Sequence, residues 1–417
     1  MKITKKTLYV LLCGAMALCM VGCENTDESI KESNSVSVTD NENAYTGKDH
    51  NTITTLQTES ENTTTTTTKV TTIETTTSTA EPEEPANDWL TIIDNVVVKC
   101  SKEAEGEIVI PDYVTGIGDS AFVNCVNITS IVIPDGVTNI GNYAFQECRG
   151  LTDIVIPSGV TSIGDFAFQW CFNLTSVTIS DSVTSLGEGL FFSCKRLADI
   201  SVDKNNKHYY SENGVLFDKN KKELIQYPAA KAVTSYDIPN GIISIGKFSF
   251  MECQNLTTVT IPDGVTKIGE SAFMTCYELK DLRIPDSVTD IGQQAFMDCW
   301  SLTSITIPDG VTIIENGTFA NCWSFTNITI PDGVTQIGMQ SFENCYNLKS
   351  ITIPKSIERI DMFAFCCCES LASVKIPDSI ITVDDTAFEG CTNISVTYQG
   401  KTYTYENINE FHTAVYG

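Results

Sequence analysis

Cysteine is the residue type of this 417-residue chain whose number and spacing suggest chemistry most directly. Of the 17 cysteines, eleven recur at one constant step, with a single longer step between the fourth and the fifth. This cysteine column consists of Cys125, Cys148, Cys171, Cys194, Cys253, Cys276, Cys299, Cys322, Cys345, Cys368 and Cys391. Thiols at this spacing could pair as disulfides, hold a metal ion or pack as small apolar groups.

The regular spacing of the cysteine column favours packing over bond formation. Equivalent side chains on stacked units run parallel, which opposes the torsion angle that a disulfide requires. The chain has no Cys-x-x-Cys pair and no histidine at a spacing that would support a zinc site. We therefore predict free thiols that face inward, with disulfides as the alternative, and neither a metal site nor a cofactor.

Aspartates form a second column with the same step. They are Asp112, Asp135, Asp181, Asp263, Asp286, Asp309, Asp332 and Asp378, and all except Asp181 follow a proline. Carboxylates from neighbouring units could coordinate Ca²⁺ between them. Aspartate is also common in turns, where its side chain accepts a hydrogen bond from the backbone. We predict the second role, a cap on the turn that follows the proline.

The residues for the usual catalytic mechanisms are missing. The three histidines, His50, His208 and His412, lie outside the regularly spaced units, and no His-Glu-x-x-His or Gly-x-Ser-x-Gly motif is present. The acids form columns, so no isolated pair suggests glycoside hydrolysis. A net charge of -27 and a pI near 4.3 disfavour binding to nucleic acid, which requires a basic surface. We predict that the chain is not an enzyme.

Aromatic residues follow the column cysteine in four consecutive units. They are Tyr277, Trp300, Trp323 and Tyr346, and methionines precede the cysteine by two positions at Met251, Met274 and Met297. If the cysteine faces inward, its successor should lie near the surface. We therefore predict a ligand-binding stripe of Tyr277, Trp300, Trp323, Tyr346, Met274 and Met297, because such side chains suit protein hot spots and sugar stacking. The alternative is that this stripe is half-buried and only packs.

The fixed period of the cysteine column also determines the elements that hold these side chains. Each unit has a short alternating strand such as Leu174–Ile179, a turn, and a second short extended piece such as Val183–Gly187. Phenylalanine and cysteine then lie three residues apart, on one face of a helical turn. One unit cannot bury its apolar residues alone, so eleven stacked units should form a solenoid. It should be β-rich, with short parallel strands and one short helical turn per 23-residue coil.

The unit N-L-T-S-I-x-I-P-x-x-V-x-x-I-G-x-x-A-F-x-x-C resembles the BspA-like (Treponema-type) leucine-rich repeats of bacterial surface proteins. The resemblance covers about residues 90 to 397. It implies a right-handed leucine-rich-repeat superhelix that serves adhesion or binding, and it specifies no partner.

An insert and two caps complete the predicted domain. Residues 111–397 should form the solenoid, interrupted within about 200–237 by a 36-residue insert. Two apolar runs in the insert predict a β-hairpin, for which a structural role is favoured over binding. Residues 89–110 and 398–417 should cap the ends, the second with a hairpin that turns at Gln399-Gly400.

The amino terminus predicts where the protein resides. Residues 1–22 combine lysines, an apolar run and small residues before Cys23, and they resemble a bacterial lipoprotein signal peptide. In that class the cysteine is lipidated, which would anchor Cys23 to the membrane; the alternative is an ordinary secretion signal. Residues 23–88, with 19 Thr and 6 Ser, predict a disordered tether.

These features predict a lipid-anchored, extracytoplasmic cell-surface protein for binding or adhesion. Its partner would be an extracellular protein or glycan, and its membrane contact would be the N-terminal lipid. A structural scaffold of the cell envelope without a specific external ligand is the second hypothesis. A glycan-active enzyme is the third.

Overall fold

The computed structural model describes residues 89–416. The predicted signal peptide (1–22), the tether (23–88) and Cys23 lie outside the described residues. Within residues 89–416, the helices are too short or too polar to cross a membrane.

The chain forms a solenoid of about 13 turns with about 23 residues per turn. The strands are β1 (Leu90–Ile93), β2 (Val96–Cys100), β3 (Glu105–Val109), β4 (Gly116–Ile117), β5 (Asn127–Val132), β6 (Asn139–Ile140), β7 (Asp153–Ile156), β8 (Ser162–Ile163), β9 (Ser176–Ile179), β10 (Ser185–Leu186), β11 (Asp199–Val202), β12 (Tyr209–Glu212), β13 (Val215–Asp218), β14 (Glu223–Gln226), β15 (Ser235–Asp237), β16 (Ser244–Ile245), β17 (Thr258–Thr260), β18 (Lys267–Ile268), β19 (Asp281–Arg283), β20 (Asp290–Ile291), β21 (Ile313–Ile314), β22 (Asn327–Thr329), β23 (Gln336–Ile337), β24 (Ser350–Thr352), β25 (Arg359–Ile360), β26 (Ser373–Lys375), β27 (Thr382–Val383), β28 (Ser395–Tyr398) and β29 (Lys401–Thr404). A 3-10 turn (Tyr405–Asn407) and helix α1 (Ile408–Tyr416) follow.

Most coils contribute one longer and one two-residue strand to two rows of parallel strands; the coil of β21 has only the two-residue strand, and both rows are divided into several sheets. The register follows the repeat, so Ser176 of β9 pairs with Asp199 of β11, its equivalent in the next coil. In the second ladder, Lys267 pairs with Asp290 at the same step. There are more turns than the eleven repeats because β2 and the insert strand β14 also join the ladder in parallel. We number the coils by their column cysteine, from Cys125 in the first to Cys391 in the eleventh.

The predicted helical turn is a chain of tight turns in the structure. In the third coil, Cys171 N donates to Phe168 O at 3.2 Å, while Phe168 N donates to Leu190 O of the next coil at 3.0 Å. Phe166 and Trp170 in this segment have φ values of 54° and 61°. These left-handed residues interrupt a helix and point alternate N–H groups toward the neighbouring coil.

The segment of tight turns that ends at each column cysteine forms one side of the solenoid, which we call the turn side. The core lies between this side and the rows of strands. Phenylalanine rings of successive coils stack along the axis, for example Phe273 on Phe296 and Phe296 on Phe319, with centroids 5.5 and 5.6 Å apart. The column cysteines lie beside them, all buried, and their thiols are free. Cys299 Sγ donates to Phe273 O at 3.3 Å, and burial raises the pKa of this thiol well above its usual value. The inward orientation of the cysteine column is therefore confirmed.

The aspartate column does not cap its turn, so that prediction was wrong. The turn is closed by the backbone, as where Val114 N donates to Pro111 O at 3.0 Å, and Asp112 is exposed. Side chains cap the backbone at a different position, the residue after the glycine that follows the two-residue strand, such as Asn142 after Gly141. Asp165 N donates to Asn142 Oδ1 at 2.8 Å, which links neighbouring coils. Within residues 89–416, no group of three or more His, Cys, Asp or Glu side chains is arranged to hold a metal ion.

Both ends are closed by antiparallel strands. At the start, β1 and β2 form a hairpin, and β2 extends the ladder of β4. At the end, β28 and β29 pair as the sequence predicts, with Gln399 and Gly400 at positive φ in the turn. Phe411 of α1 is fully buried and covers the last coil.

The insert contains three strands, whereas the sequence predicts a hairpin of two. The first apolar run folds back on itself as β12 and β13, and β13 then pairs with β14. The additional turn is at Asn213-Gly214, where both residues have positive φ. Asn-Gly is a strong signal for a two-residue hairpin turn, and a prediction based on it would have divided this run.

Candidate binding surfaces

Four aromatic side chains on the turn side form one continuous stack. Ring centroids are 3.9 Å apart for Tyr277 and Trp300, 4.4 Å for Trp300 and Trp323, and 6.1 Å for Trp323 and Tyr346. The first two pairs are near parallel and the third is tilted by 45°. The structure therefore brings together all four of the predicted aromatic residues, and we call them the aromatic stack.

A ladder of polar side chains lies beside the aromatic stack. It is formed by the residues before the column cysteine, Asp298, Asn321 and Asn344, which all have positive φ. Asn321 Nδ2 donates to Asp298 Oδ1, and Asn344 Nδ2 donates to Asn321 Oδ1, both at 2.8 Å. Trp300 Nε1 also donates to Asp298 Oδ1, at 3.4 Å. Burial raises the pKa of Asp298, and the hydrogen bonds that it accepts from Asn321 and Trp300 oppose the increase.

The aromatic stack presents the edges of its rings to solvent. Trp323 and Tyr346 are 38% and 36% exposed, and Tyr277 and Trp300 are half-buried. Because the rings are stacked along the solenoid axis, neighbouring rings cover the faces of Trp300. The accessible parts are ring edges and polar tips, which fit the side chains of a protein partner better than the flat face of a sugar ring.

Met274 does not belong to this surface, contrary to the sequence-based prediction. It is 2% exposed, Met251 is 4% exposed, and Met297 is partly buried. A flexible thioether fills irregular space between coils and gains apolar contact there. The surface is therefore formed by the aromatic rings, with at most part of Met297 at its border.

Exposed valines on the strand face are not among the candidate residues that the sequence analysis identifies. Val109, Val132 and Val155 occupy equivalent positions in the first coils and are 49%, 46% and 60% exposed. The sequence contains a signal for their exposure. Each valine lies between two inward-facing isoleucines of an alternating strand, as in Ile154-Val155-Ile156, and so should face outward.

Comparison with solved structures finds proteins similar to this chain, two of them with TM-scores above 0.5. A leucine-rich repeat protein from Eubacterium ventriosum is 26% identical, with a TM-score of 0.56 over 75% of this chain and 96% of that one. The pneumococcal vaccine antigen PcpA is 21% identical, with a TM-score of 0.52 over 73% of this chain and 76% of that one. A leucine-rich repeat protein from Bacteroides ovatus is 29% identical, with a TM-score of 0.44 over 69% and 77% of the two chains. No curated protein gives a significant match.

The sequence profile of one repeat family matches most of the chain. The family is described as BspA type Leucine rich repeat region (6 copies), and it matches residues 98–222, 226–345 and 312–412. The matched segments include the insert strands β12 and β13 and the coils that carry the aromatic stack. With its regular ladder register and its phenylalanine and cysteine columns, the chain belongs to the BspA-type leucine-rich repeat family.

Proposed function

We propose that this chain is a cell-surface binding protein whose aromatic stack contacts an extracellular protein. The observation that supports this role is the partial exposure of Trp and Tyr rings in consecutive coils. These residue types are enriched at the centres of protein interfaces, because they bury large areas with little loss of conformational entropy.

The fold does not require aromatic residues at these positions. Equivalent positions in other coils hold Val126, Arg149 and Lys195, and the turn after the cysteine is closed there as in the aromatic coils, by a hydrogen bond from the N–H three residues on to the cysteine carbonyl. Core packing alone therefore gives no reason for four aromatics in succession. This argument favours a binding surface over the scaffold hypothesis.

Glycan recognition remains the second candidate for the stack. A sugar would stack on a free ring face, whereas Tyr277 and Trp323 cover the two faces of Trp300. The inner rings of the stack offer edges, which favours a protein. A glycan-active enzyme is the least favoured function, because Asp298, the carboxylate hydrogen-bonded to the stack, is engaged by Asn321 and Trp300.

Binding can be tested with the purified chain on arrays of extracellular proteins and glycans. We expect retention on at least one protein and no retention on neutral glycans. If the chain is retained on glycans and on no protein, sugar recognition would replace this proposal. If it is retained on neither array, the scaffold hypothesis would be favoured.

We propose that the protein is held at the outer face of the membrane by a lipid on Cys23. The basis is the order of lysines, apolar run and small residues in positions 1–22. Replacing Cys23 with Ala should release most of the chain into the medium, and mass spectrometry of the wild-type amino terminus should find an acylated cysteine. Cys13→Ala is the matched control and should leave the chain anchored. An unmodified amino terminus at another residue would contradict the anchor.

A further inference from the structure

Three backbone N–H groups of the fourth coil break the hydrogen-bond pattern between coils. In the third coil, the N–H groups of Phe166, Phe168 and Trp170 donate to carbonyls of the fourth coil at 2.9 to 3.0 Å. The pattern resumes after the insert, where Phe250 N donates to Ala272 O at 2.7 Å. The equivalent groups of the fourth coil, on Gly189, Phe191 and Ser193, have no acceptor within residues 89–416.

The insert causes this gap. Tyr227 N donates to Ser249 O of the fifth coil at 2.8 Å, and so occupies the acceptor that Phe191 would use. The Tyr227 ring also stacks on Phe250, with centroids 5.1 Å apart. It takes the position that the phenylalanine three residues before the column cysteine has in other coils. The hydrophobic core accordingly divides into two clusters, one ending at Leu216 and the other beginning at Val215. On the turn side, this row of backbone hydrogen bonds is therefore absent between the fourth and fifth coils, which meet there through side chains, as where Ser193 Oγ donates to Glu252 Oε1 at 3.0 Å.

A cavity of about 470 Å³ lies at this junction, and we call it the junction cleft. Its walls include Gly189 and Phe191 of the fourth coil, Gly246 and Lys247 of the fifth, and Lys207 and Lys219 of the insert. Its size is within the usual range of small-ligand sites. Gly189 has φ of 58°, and a Cβ there would be 2.2 Å from the Phe166 ring, so glycine is required at this wall.

The unpaired N–H groups favour a ligand with an acceptor. Gly189 and Phe191 are buried, and buried backbone donors are nearly always paired because an unmade hydrogen bond is costly. In the other coils the same groups point at the next coil, so here they point across the junction cleft. Adjacent backbone donors of this kind bind anions.

The charges around the cleft also favour an anion. Lys207 and Lys219 have no ion pair within the described part of the chain. Of the three acids that line the cleft, the side chain of Glu223 has no protein hydrogen-bond partner within residues 89–416, whereas Glu188 and Asp218 are already engaged. Lys247 Nζ lies 2.8 Å from Glu188 Oε2, and Asp218 Oδ1 accepts the backbone N–H groups of Lys222 and Glu223 at 2.6 Å each. Two unpaired lysines beside unpaired donors are notable in a chain of net charge -27.

The remaining lining groups suit hydroxyls. The side chains of His208, Asn220 and Glu223 line the cleft without a protein hydrogen-bond partner in residues 89–416. Desolvation raises the pKa of Glu223, and the carboxylates of Asp218 and Glu188 raise it further. A less readily ionised carboxyl attracts an ammonium group weakly, so this side of the cleft favours sugar hydroxyls over an amino group.

We propose that the junction cleft binds an acidic sugar, with its carboxylate on the N–H groups of Gly189 and Phe191 and beside Lys207 and Lys219. The hydroxyl groups of the sugar meet His208, Asn220 and Glu223. This site is separate from the aromatic stack, so its failure would leave the proposed protein contact unaffected.

The binding test uses calorimetry of the full chain with D-glucuronate and N-acetylneuraminate. D-glucose and N-acetylglucosamine are the neutral probes, and trialanine is a carboxylate without sugar hydroxyls. We expect at least one acidic sugar to bind, and the neutral sugars and trialanine to bind at least about tenfold more weakly. Failure of both acidic sugars to bind, or equal binding of a neutral sugar or trialanine, would overturn the proposal.

Two double variants locate the site. K207A/K219A removes the two cleft lysines and should weaken binding of the acidic sugar about tenfold or more. K204A/K222A removes the same charge from the same insert, but neither lysine lines the cleft. It should change affinity less than about twofold, because exposed charges at a distance are screened. Equal losses in the two variants would place the effect in the general charge of the insert and refute the site.

Hydrogen exchange gives a readout that does not depend on charge. In the free chain, the amides of Gly189, Phe191 and Ser193 should exchange faster than the equivalent amides of the third coil, which donate to the next coil and belong to Phe166, Phe168 and Trp170. The bound acidic sugar should slow exchange at Gly189 and Phe191. Slow exchange in the free chain, or no change with the sugar, would contradict the assignment of these N–H groups.

Discussion

Phe296→Ala should destabilise the chain by about 3–5 kcal/mol, the largest single effect that we expect in the solenoid. The ring is fully buried and stacked on both sides, on Phe273 and on Phe319. The cavity would lie between coils whose parallel backbones are fixed by hydrogen bonds, so the neighbours could not close it easily. Urea unfolding followed by circular dichroism would measure the loss.

The control for this variant is Gln293→Ala on the same coil. Gln293 is exposed, and its backbone carbonyl accepts a hydrogen bond from Ser271 N, which the alanine variant keeps. It should change stability by less than about 0.5 kcal/mol. A loss below about 1 kcal/mol for Phe296→Ala would mean that the phenylalanine column does not support the stack of coils as described here.

Asn206→Ala should cost about 3 kcal/mol, because it removes the partner of two carbonyls of the fourth coil and of two backbone N–H groups of the insert. Asn206 is fully buried. Its Nδ2 donates to Ser180 O at 2.8 Å and to Val183 O at 3.0 Å, and its Oδ1 accepts from His208 N and Tyr209 N at 2.8 Å each. One side chain therefore holds the start of the insert against the fourth coil. The measurement is the midpoint of urea unfolding.

Asn205→Ala is the matched control for the insert. Asn205 is adjacent and exposed, and its only hydrogen bond within residues 89–416 is from its backbone N–H to Asp203 Oδ1. This change should be close to neutral. If both variants are neutral, the insert is not fixed to the solenoid through Asn206, and the walls of the junction cleft would not be held in place.

The repeating part of the fold could be predicted because one unit determines all the others. Once Leu, Val, Ile, Phe and Cys recur at one fixed period, parallel stacking is the arrangement that buries them all. The observed pairing of Thr258 with Asp281 follows from this period alone. The closing hairpin at Gln399-Gly400 was also predictable, since its turn residues are local signals.

Features that depend on the path of the chain through space could not be predicted. The period places Tyr277 and Trp300 side by side, but only their side-chain conformations decide whether ring faces or edges meet solvent. Met274 shares the period and is nevertheless buried. The unpaired N–H groups of Gly189 and Phe191 arise because Tyr227, from the insert, takes a carbonyl of the fifth coil. No local sequence signal specifies that competition.

The central claim is that the aromatic stack is a contact surface and not a packing element. It is tested most directly by measuring, for W300A/W323A, both the affinity for the protein retained on the array and the free energy of unfolding. We predict an affinity loss of at least about 2 kcal/mol, roughly 30-fold, with cooperative unfolding and nearly unchanged stability. W89A/Y113A, which removes two exposed aromatics elsewhere, should bind normally. Unchanged affinity in W300A/W323A, or a stability loss of several kcal/mol, would contradict the claim and make the stack part of the core.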